Sequence, residues 1–293
     1  MALDPHSQIP VVKRRPQDPK WVRVFLTISA LFVVLLIIGI PVLHVFFRAF
    51  ENGVGSYLKS LFGNANTRHS ILLTLSIAPR AVLLNLIFGL AAAWLIARFR
   101  FPGRTILLTC IDLPLAVSPV VAGLVFVLMF GMQGWFGAWL ADHNLQVLFG
   151  TPALVLATSF VTLPYIVREI IPVLEAYGEE EELAAVSLGA NGWQMFWRIT
   201  LPNIRWALLY GIILCNARAM GEYGAVYVVS GRVSGMNDTM PLRVEKLFQE
   251  YDMPGAFALA SVLTFVALIT LVLKTYLEKN LMPKHGTESA GQK

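Results

Sequence analysis

Six long apolar stretches, separated by shorter polar ones, organise this chain of 293 residues. They run over 24–47, 71–97, 105–130, 150–167, 206–230 and 255–273. A helix rises 1.5 Å per residue, so about 20 residues cross a hydrocarbon layer roughly 30 Å thick. The stretches match that length. None alternates with a period of two, as a strand of a membrane barrel would. The pattern predicts an all-α, polytopic membrane protein with six transmembrane helices. It further predicts a polar tail over 1–20, a six-helix domain over 21–278 and a second tail over 279–293. The first apolar run is too long for the core of a signal peptide and has no small-residue cleavage site after it, so it is expected to stay as a helix. No internal repeat is visible.

One polar segment breaks the pattern. Glu179 to Pro202, between the fourth and fifth stretches, is amphipathic and helix-forming. Gly178 is expected to open a helix whose first turn, Glu179 to Glu182, sets four carboxylates at the positive end of the helix dipole. Leu183, Val186 and Ala190 are spaced to share a face, beside the small pair Ala184 and Ala185. Gly189 suits a left-handed C-terminal cap, a conformation that a Cβ disfavours. Asn191, with Gln194 three residues on, reads as a capping box for a second helix. Pro202 is expected to end that helix and lead into the fifth span. A short helix, a sharp turn and a second helix would form either a loop lying on the bilayer surface or a knob on which another protein docks.

Charge sets the orientation. Charged residues make up only 14% of the chain, against about a quarter in soluble domains, and mean hydropathy is +0.65, which supports the membrane class. The net charge of +5 does not point to nucleic acid, because the basic residues cluster at the edges of the apolar runs. Fifteen fall on one side: Lys13, Arg14, Arg15, Lys20 and Arg23; Arg98, Arg100 and Arg104; Arg168, Arg198 and Arg205; Lys274, Lys279, Lys284 and Lys293. Six fall on the other: Arg48, Lys59, Arg68, Arg232, Arg243 and Lys246. The positive-inside rule then puts both termini and the 179–202 insert in the cytoplasm. Trp21, Trp94, Trp135 and Trp139 lie near the span ends and read as interfacial anchors, with lipid as the surrounding partner.

Polar residues within the apolar stretches are the remaining candidates for chemistry, because charge inside a membrane faces the bundle interior or a water-filled path. Asp112, Arg218 and Glu222 qualify. Arg218 and Glu222, four apart, either line an anion path or neutralise each other. Pro114 and Ser118-Pro119 break the third stretch, either as a pore-lining gate or as a packing kink. Gly123, Gly221 and Gly224 suit close helix packing. Arg80, after Pro79, is assigned no role. His44, Cys110 and Cys215 are expected to pack rather than to bind metal, and no disulfide framework is present.

The spacing of Ala184-Ala185, Gly189-Ala190, Phe196 and Leu201-Pro202 resembles the coupling loop that seats bacterial ABC-importer permeases on a separate ATPase. Three further segments narrow the likeness: Phe101-Pro102-Gly103-Arg104, the run from Ser118 to Gly123 (SPVVAG), and the run from Asn216 to Val226 (NARAMGEYGAV). From the first span to the sixth, the chain is similar to sulfate/thiosulfate permease subunits of the CysW type, in the binding-protein-dependent importer permease family. The resemblance implies the ABC type I importer permease fold and a multi-pass place in the bacterial inner membrane. It implies a homologous second permease of the CysT/CysU type, a CysA-type ATPase dimer and an external sulfate-binding protein as partners. This chain would then be a non-catalytic subunit without a cofactor of its own, ATP and Mg being held by the ATPase. In agreement, it has no G-x-x-x-x-G-K-[ST] phosphate loop. The likeness assigns ATPase coupling to Glu182, Leu183, Ala184, Ala185, Gly189, Ala190, Phe196, Leu201 and Pro202, and leaves Asp112, Ser118, Pro119, Arg218 and Glu222 for the translocation path. The family's usual Glu before Ala-Ala is replaced here by Leu183, so loss of the displaced Glu182 is expected to be mild. Molybdate or tungstate import is the alternative. An ion-gradient-driven transporter is less supported, since that class often shows repeats. A membrane enzyme is less supported too, since no metal or nucleophile–base set appears.

Overall fold

A computed structural model describes residues 19–280, so the tails expected at 1–20 and 279–293 lie almost wholly outside the described residues, as do Lys13, Arg14, Arg15, Lys284 and Lys293. Every regular element among the described residues is helical. The chain forms two units, one up to Val45 and one from Phe46 onward.

The first unit is helix α1 (Lys20–Val34), a five-residue π turn (Leu35–Gly39) and the start of α2 (Ile40–Phe50). The helix continues through Pro41 because of the π turn. The Ile40 N–H reaches back five residues to the Leu35 carbonyl, and the widened turn relieves the clash of a proline ring with the preceding turn.

The second unit holds the other helices. These are α3 (Gly53–Phe62), α4 (Ala65–Arg98), α5 (Arg104–Ala116), α6 (Pro119–Phe130), α7 (Gly137–Asp142) and α8 (Thr151–Tyr177). They continue with α9 (Glu180–Ser187), α10 (Gly192–Met195), a second π turn (Phe196–Thr200), α11 (Leu201–Met220), α12 (Gly224–Val229), α13 (Met240–Gln249) and α14 (Met253–Asn280). Among the described residues four helices, Lys20–Phe50, Ala65–Arg98, Thr151–Tyr177 and Met253–Leu277, are each long and apolar enough to cross a membrane; a fifth is added if α5 and α6 count as one span. α11 supplies the remaining predicted span and is the most polar of them, with Asn203, Arg205, Asn216 and Arg218 along its length.

Three predicted spans change in shape. The third is not a kinked rod: α6 turns away from α5 by 112° at Val117–Ser118, and neither half reaches across a bilayer alone. Ser118 sits in extended backbone, as a residue before proline must, and Pro119 starts α6 where its missing N–H is not needed. The fourth runs on to Tyr177, ten residues past its predicted end, so Arg168 lies within a helix of roughly 40 Å and not in a loop. The fifth stops at Met220, crosses Gly221–Tyr223 without helix, and resumes as the short α12.

The centre of the fold is α4 against α8 and α8 against α11. Ile96, Ile166, Val167, Ile170, Leu174 and Ile204 make one buried cluster there; Leu154, Val161, Ala225, Val226 and Val229 make a second, towards the α6 and α12 end. A polar node ties the three central helices: Asn85 Nδ2 of α4 donates to Thr162 Oγ1 of α8 at 2.8 Å, Ser159 of α8 donates to Asn85 Oδ1, and buried Cys215 of α11 lies 3.5 Å from the same amide. Interhelical hydrogen bonds of this kind hold register where apolar packing alone would let helices slide. Cys215 therefore packs as expected, while Cys110 is exposed on α5.

Candidate functional site

The 179–202 insert folds as a knob whose shape is set by local bonds. Gly178 does not open its first helix; it closes α8, with φ +67°, and α9 starts two residues later. At the other end of α9 the Ala190 N–H bonds the Ala185 carbonyl at 3.0 Å and the Gly189 N–H bonds the Val186 carbonyl at 2.9 Å. This is a Schellman cap, and Gly189 takes it with φ +89°. Asn191 and Gln194 form the expected capping box, with Gln194 N–H donating to Asn191 Oδ1 at 2.8 Å and Asn191 N–H to Gln194 Oε1 at 3.1 Å. Pro202, however, does not end the second helix. The chain runs unbroken from α10 through the π turn into α11, and the Leu201 N–H reaches Phe196 O, five residues back. The device is the one used before Pro41.

Leu183 and Val186 face outward from α9, and Leu188, at the tip, is 90% exposed. Trp193 and Trp197 stand exposed beside them with rings 5.5 Å apart, and Phe196 lies against Trp197 at 5.9 Å. Sequence reasoning overlooked both tryptophans, although their spacing of four on a capped helix is visible in the chain. Trp94, read as an interfacial anchor, instead packs inward, edge-on to Phe99 and Phe196 at 5.4 and 6.2 Å. Ala184 and Gly189 are exposed, Ala185 is buried and Ala190 lies between these extremes. The knob thus presents apolar side chains on a segment outside the spans. Exposed apolar side chains grouped in this way mark a surface for another protein or for the bilayer, the two alternatives left by the sequence.

Glu182 overturns an expectation. It is buried, and its carboxylate meets Arg98 at the end of α4: Nη2 donates to Oε1 at 3.1 Å, while Nε stands 2.8 Å from Oε2 without the alignment of a hydrogen bond. Thr200 Oγ1 donates to Oε1 at 2.7 Å. In this chain the carboxylate at Glu182 faces inward to a charge partner, while Leu183, next along α9, faces outward.

The residues assigned to the path separate into two groups. Arg218 Nη1 and Glu222 Oε2 are 2.8 Å apart, with side chains 33% and 1% exposed, so the mutually neutralising pair is the arrangement adopted. Glu222 Oε1 also accepts the Ala225 N–H at 3.0 Å and thereby caps α12. Asp112 belongs elsewhere: its Oδ1 accepts from Arg168 Nε at 2.8 Å, joining α5 to α8. The two helix breaks meet each other. A Cβ on Gly224 would come 2.9 Å from Pro119 Cβ, and a Cβ on Gly123 would come 2.8 Å from the Ala225 carbonyl. Gly123 and Gly224 are close-packing positions, as expected. Gly221 is not, its nearest neighbours being 3.9 Å away within its own helix. Arg80 is exposed halfway along α4. Among the described residues no group of three or more His, Cys, Asp or Glu side chains could hold a metal ion.

The family described as "Binding-protein-dependent transport system inner membrane component" matches residues 85–282. The sulfate transport system permease protein CysW of Escherichia coli (strain K12) is 49% identical over 94% of both chains. CysW of Synechocystis sp. is also 49% identical, over 88% of this chain and 93% of its own. The sulfate transport system permease protein CysT of Escherichia coli (strain K12) is 35% identical over 83% of this chain and 87% of its own. A chain of a bacterial alginate ABC transporter, crystallised with its alginate-bound periplasmic protein, superposes with a TM-score of 0.72 over 88% of this chain and 93% of that one; at 17% identity the likeness is one of fold. With fold, knob and near-full-length relatives in agreement, this chain belongs to the family of binding-protein-dependent transport system inner membrane components.

Proposed function

We propose that this chain is the membrane-spanning, non-catalytic permease subunit of an ATP-driven importer for sulfate and thiosulfate. It forms half of the path, a homologous CysT-type permease forms the other half, and the knob at 179–202 seats on an ATPase dimer that holds ATP and Mg. An external binding protein delivers the anion. Identity of 49% over 94% of the chain with a sulfate permease supports the substrate. The coupling role rests above all on the knob, a pre-organised turn with exposed Leu183, Val186, Leu188, Trp193 and Trp197 outside the spans. Removing Arg168, now within a helix, from the basic count leaves the charge asymmetry intact, so both termini and the knob are assigned to the cytoplasm.

Two measurements test the proposal. Right-side-out vesicles carrying the full complex, loaded with ATP and supplied outside with the binding protein, should accumulate labelled sulfate, with thiosulfate competing; preference for molybdate would move the substrate assignment. Asp238, expected to be an external label site, is buried beside Arg243, and the exposed Met236 takes its place; single cysteines at Gly63, Asp142 and Met236 should label from outside, and one at Gly189 from inside only. External labelling at Gly189 would remove the coupling role.

A further inference from the structure

Four chain segments converge on one arginine. Arg98 is the last residue of α4. Its Nη1 donates to the Leu174 carbonyl in the last turn of α8 at 2.8 Å, and its Nη2 and Nε face Glu182 of α9. Glu182 in turn accepts from Thr200, in the π turn that leads into α11. The two charged side chains are 8% and 10% exposed. Neighbouring contacts brace this cluster: Arg104 donates to the Ile96 carbonyl at 2.9 Å and pairs with Glu175 at 2.8 Å, and Asn203 donates to Glu181 at 2.6 Å.

The knob needs none of these contacts for its own shape, because the Schellman cap and the capping box are internal to it. Only two residues of α9 are buried, Glu182 and Ala185, and of its carboxylates only Glu182 pairs with an opposite charge on another helix. At its start α9 follows a corner at Gly178, where φ is +67°. The second knob helix reaches α4 through the Phe196–Trp94 contact and runs unbroken into α11; α9, the half that carries the turn, reaches the ends of α4 and α8 through the Glu182–Arg98 pair. A buried pair is suited to this task, since separating the two charges leaves each uncompensated, whereas apolar contacts are non-directional and can slide.

We propose that Arg98 is a positioning residue for energy coupling: through Glu182 it pins α9 to the ends of α4, α8 and α11, so that displacement of the knob by the partner ATPase moves those helices together. This rests on the permease reading above.

The test uses the assembled complex in proteoliposomes, reading sulfate transported per ATP hydrolysed, together with the distance between spin labels at Ser187 and Leu95. In the otherwise unaltered chain that distance should stay constant through the ATP cycle. Arg98→Lys keeps the charge, but one ammonium cannot serve both carboxylate oxygens and the Leu174 carbonyl. It should still co-purify with the ATPase, transport at least tenfold less sulfate per ATP, and show a label distance that changes with nucleotide. The double variant Arg98→Met/Glu182→Leu removes both charges at similar volume, and should assemble with the same loss of coupling. Assembly of either variant with normal sulfate per ATP and a constant label distance would overturn the proposal. Failure of the unaltered chain to bind any ATPase would instead overturn the permease reading.

Discussion

Replacing Gly189 by leucine puts one side chain at the tip of the knob, and the structure separates its effect on the fold from its effect on a partner. An added Cβ meets nothing within 4 Å, so the chain itself offers no steric obstacle. The internal penalty is the backbone alone: at φ +89° a residue with a Cβ loses roughly 1–2 kcal/mol against glycine. The chain should therefore still fold and insert. If the knob fits a cleft on an ATPase, the leucine overpacks that contact, for about 1–3 kcal/mol more. That corresponds to roughly a 5- to 150-fold weaker assembly. Gly53→Ala is the matched control, with φ +83° and also nothing within 4 Å, but far along the chain from the knob. Sulfate uptake and ATPase co-purification should fall together in Gly189→Leu and remain in Gly53→Ala. Normal uptake with Gly189→Leu would refute the docking role of the knob, and equal losses in both variants would mean that backbone strain alone was measured.

Other expectations follow from the buried contacts. Glu182→Ala, mild on sequence grounds, should instead destabilise by about 3–5 kcal/mol, because it leaves Arg98 buried and uncompensated; the recovery of folded protein in detergent across a denaturant titration measures this. Arg218→Met should harm insertion and yield more than Arg218→Met with Glu222→Gln, because the single change strands a carboxylate that is 1% exposed, while the glutamine oxygen can still accept the Ala225 N–H. If the double variant assembles but is as inactive as the single one, the arginine has a role in the path itself. Gly123→Ala would drive its methyl to 2.8 Å from the Ala225 carbonyl and should separate α6 from α12 with loss of transport. Gly221→Ala, with open space to 3.9 Å, should be tolerated; equal activity of the two in the uptake assay would show that the glycine contact is not needed.

The sequence alone determined what depends on short range. Apolar runs long enough to span a bilayer were legible because burial in lipid demands them whatever the tertiary arrangement. The Schellman turn at Gly189 and the capping box at Asn191 were legible because every bond in them closes within five residues. Tertiary structure decided the rest. That Pro41 and Pro202 sit inside continuing helices depends on π turns, which carry no residue signature. That Ser118-Pro119 bends the chain by 112° depends on Gly123 and Gly224 letting α6 and α12 approach, a contact between residues about a hundred apart. The partners of Asp112, Glu182 and Asn85 lie 56, 84 and 74–130 positions away, so their charges and amides could be counted in the sequence but not paired. Glu182 shows the physical reason. Its neighbours Glu179 to Glu181 have the same chemistry, and only the packing of α9 against the end of α4 selects the one carboxylate that is buried, paired and able to hold the knob in place.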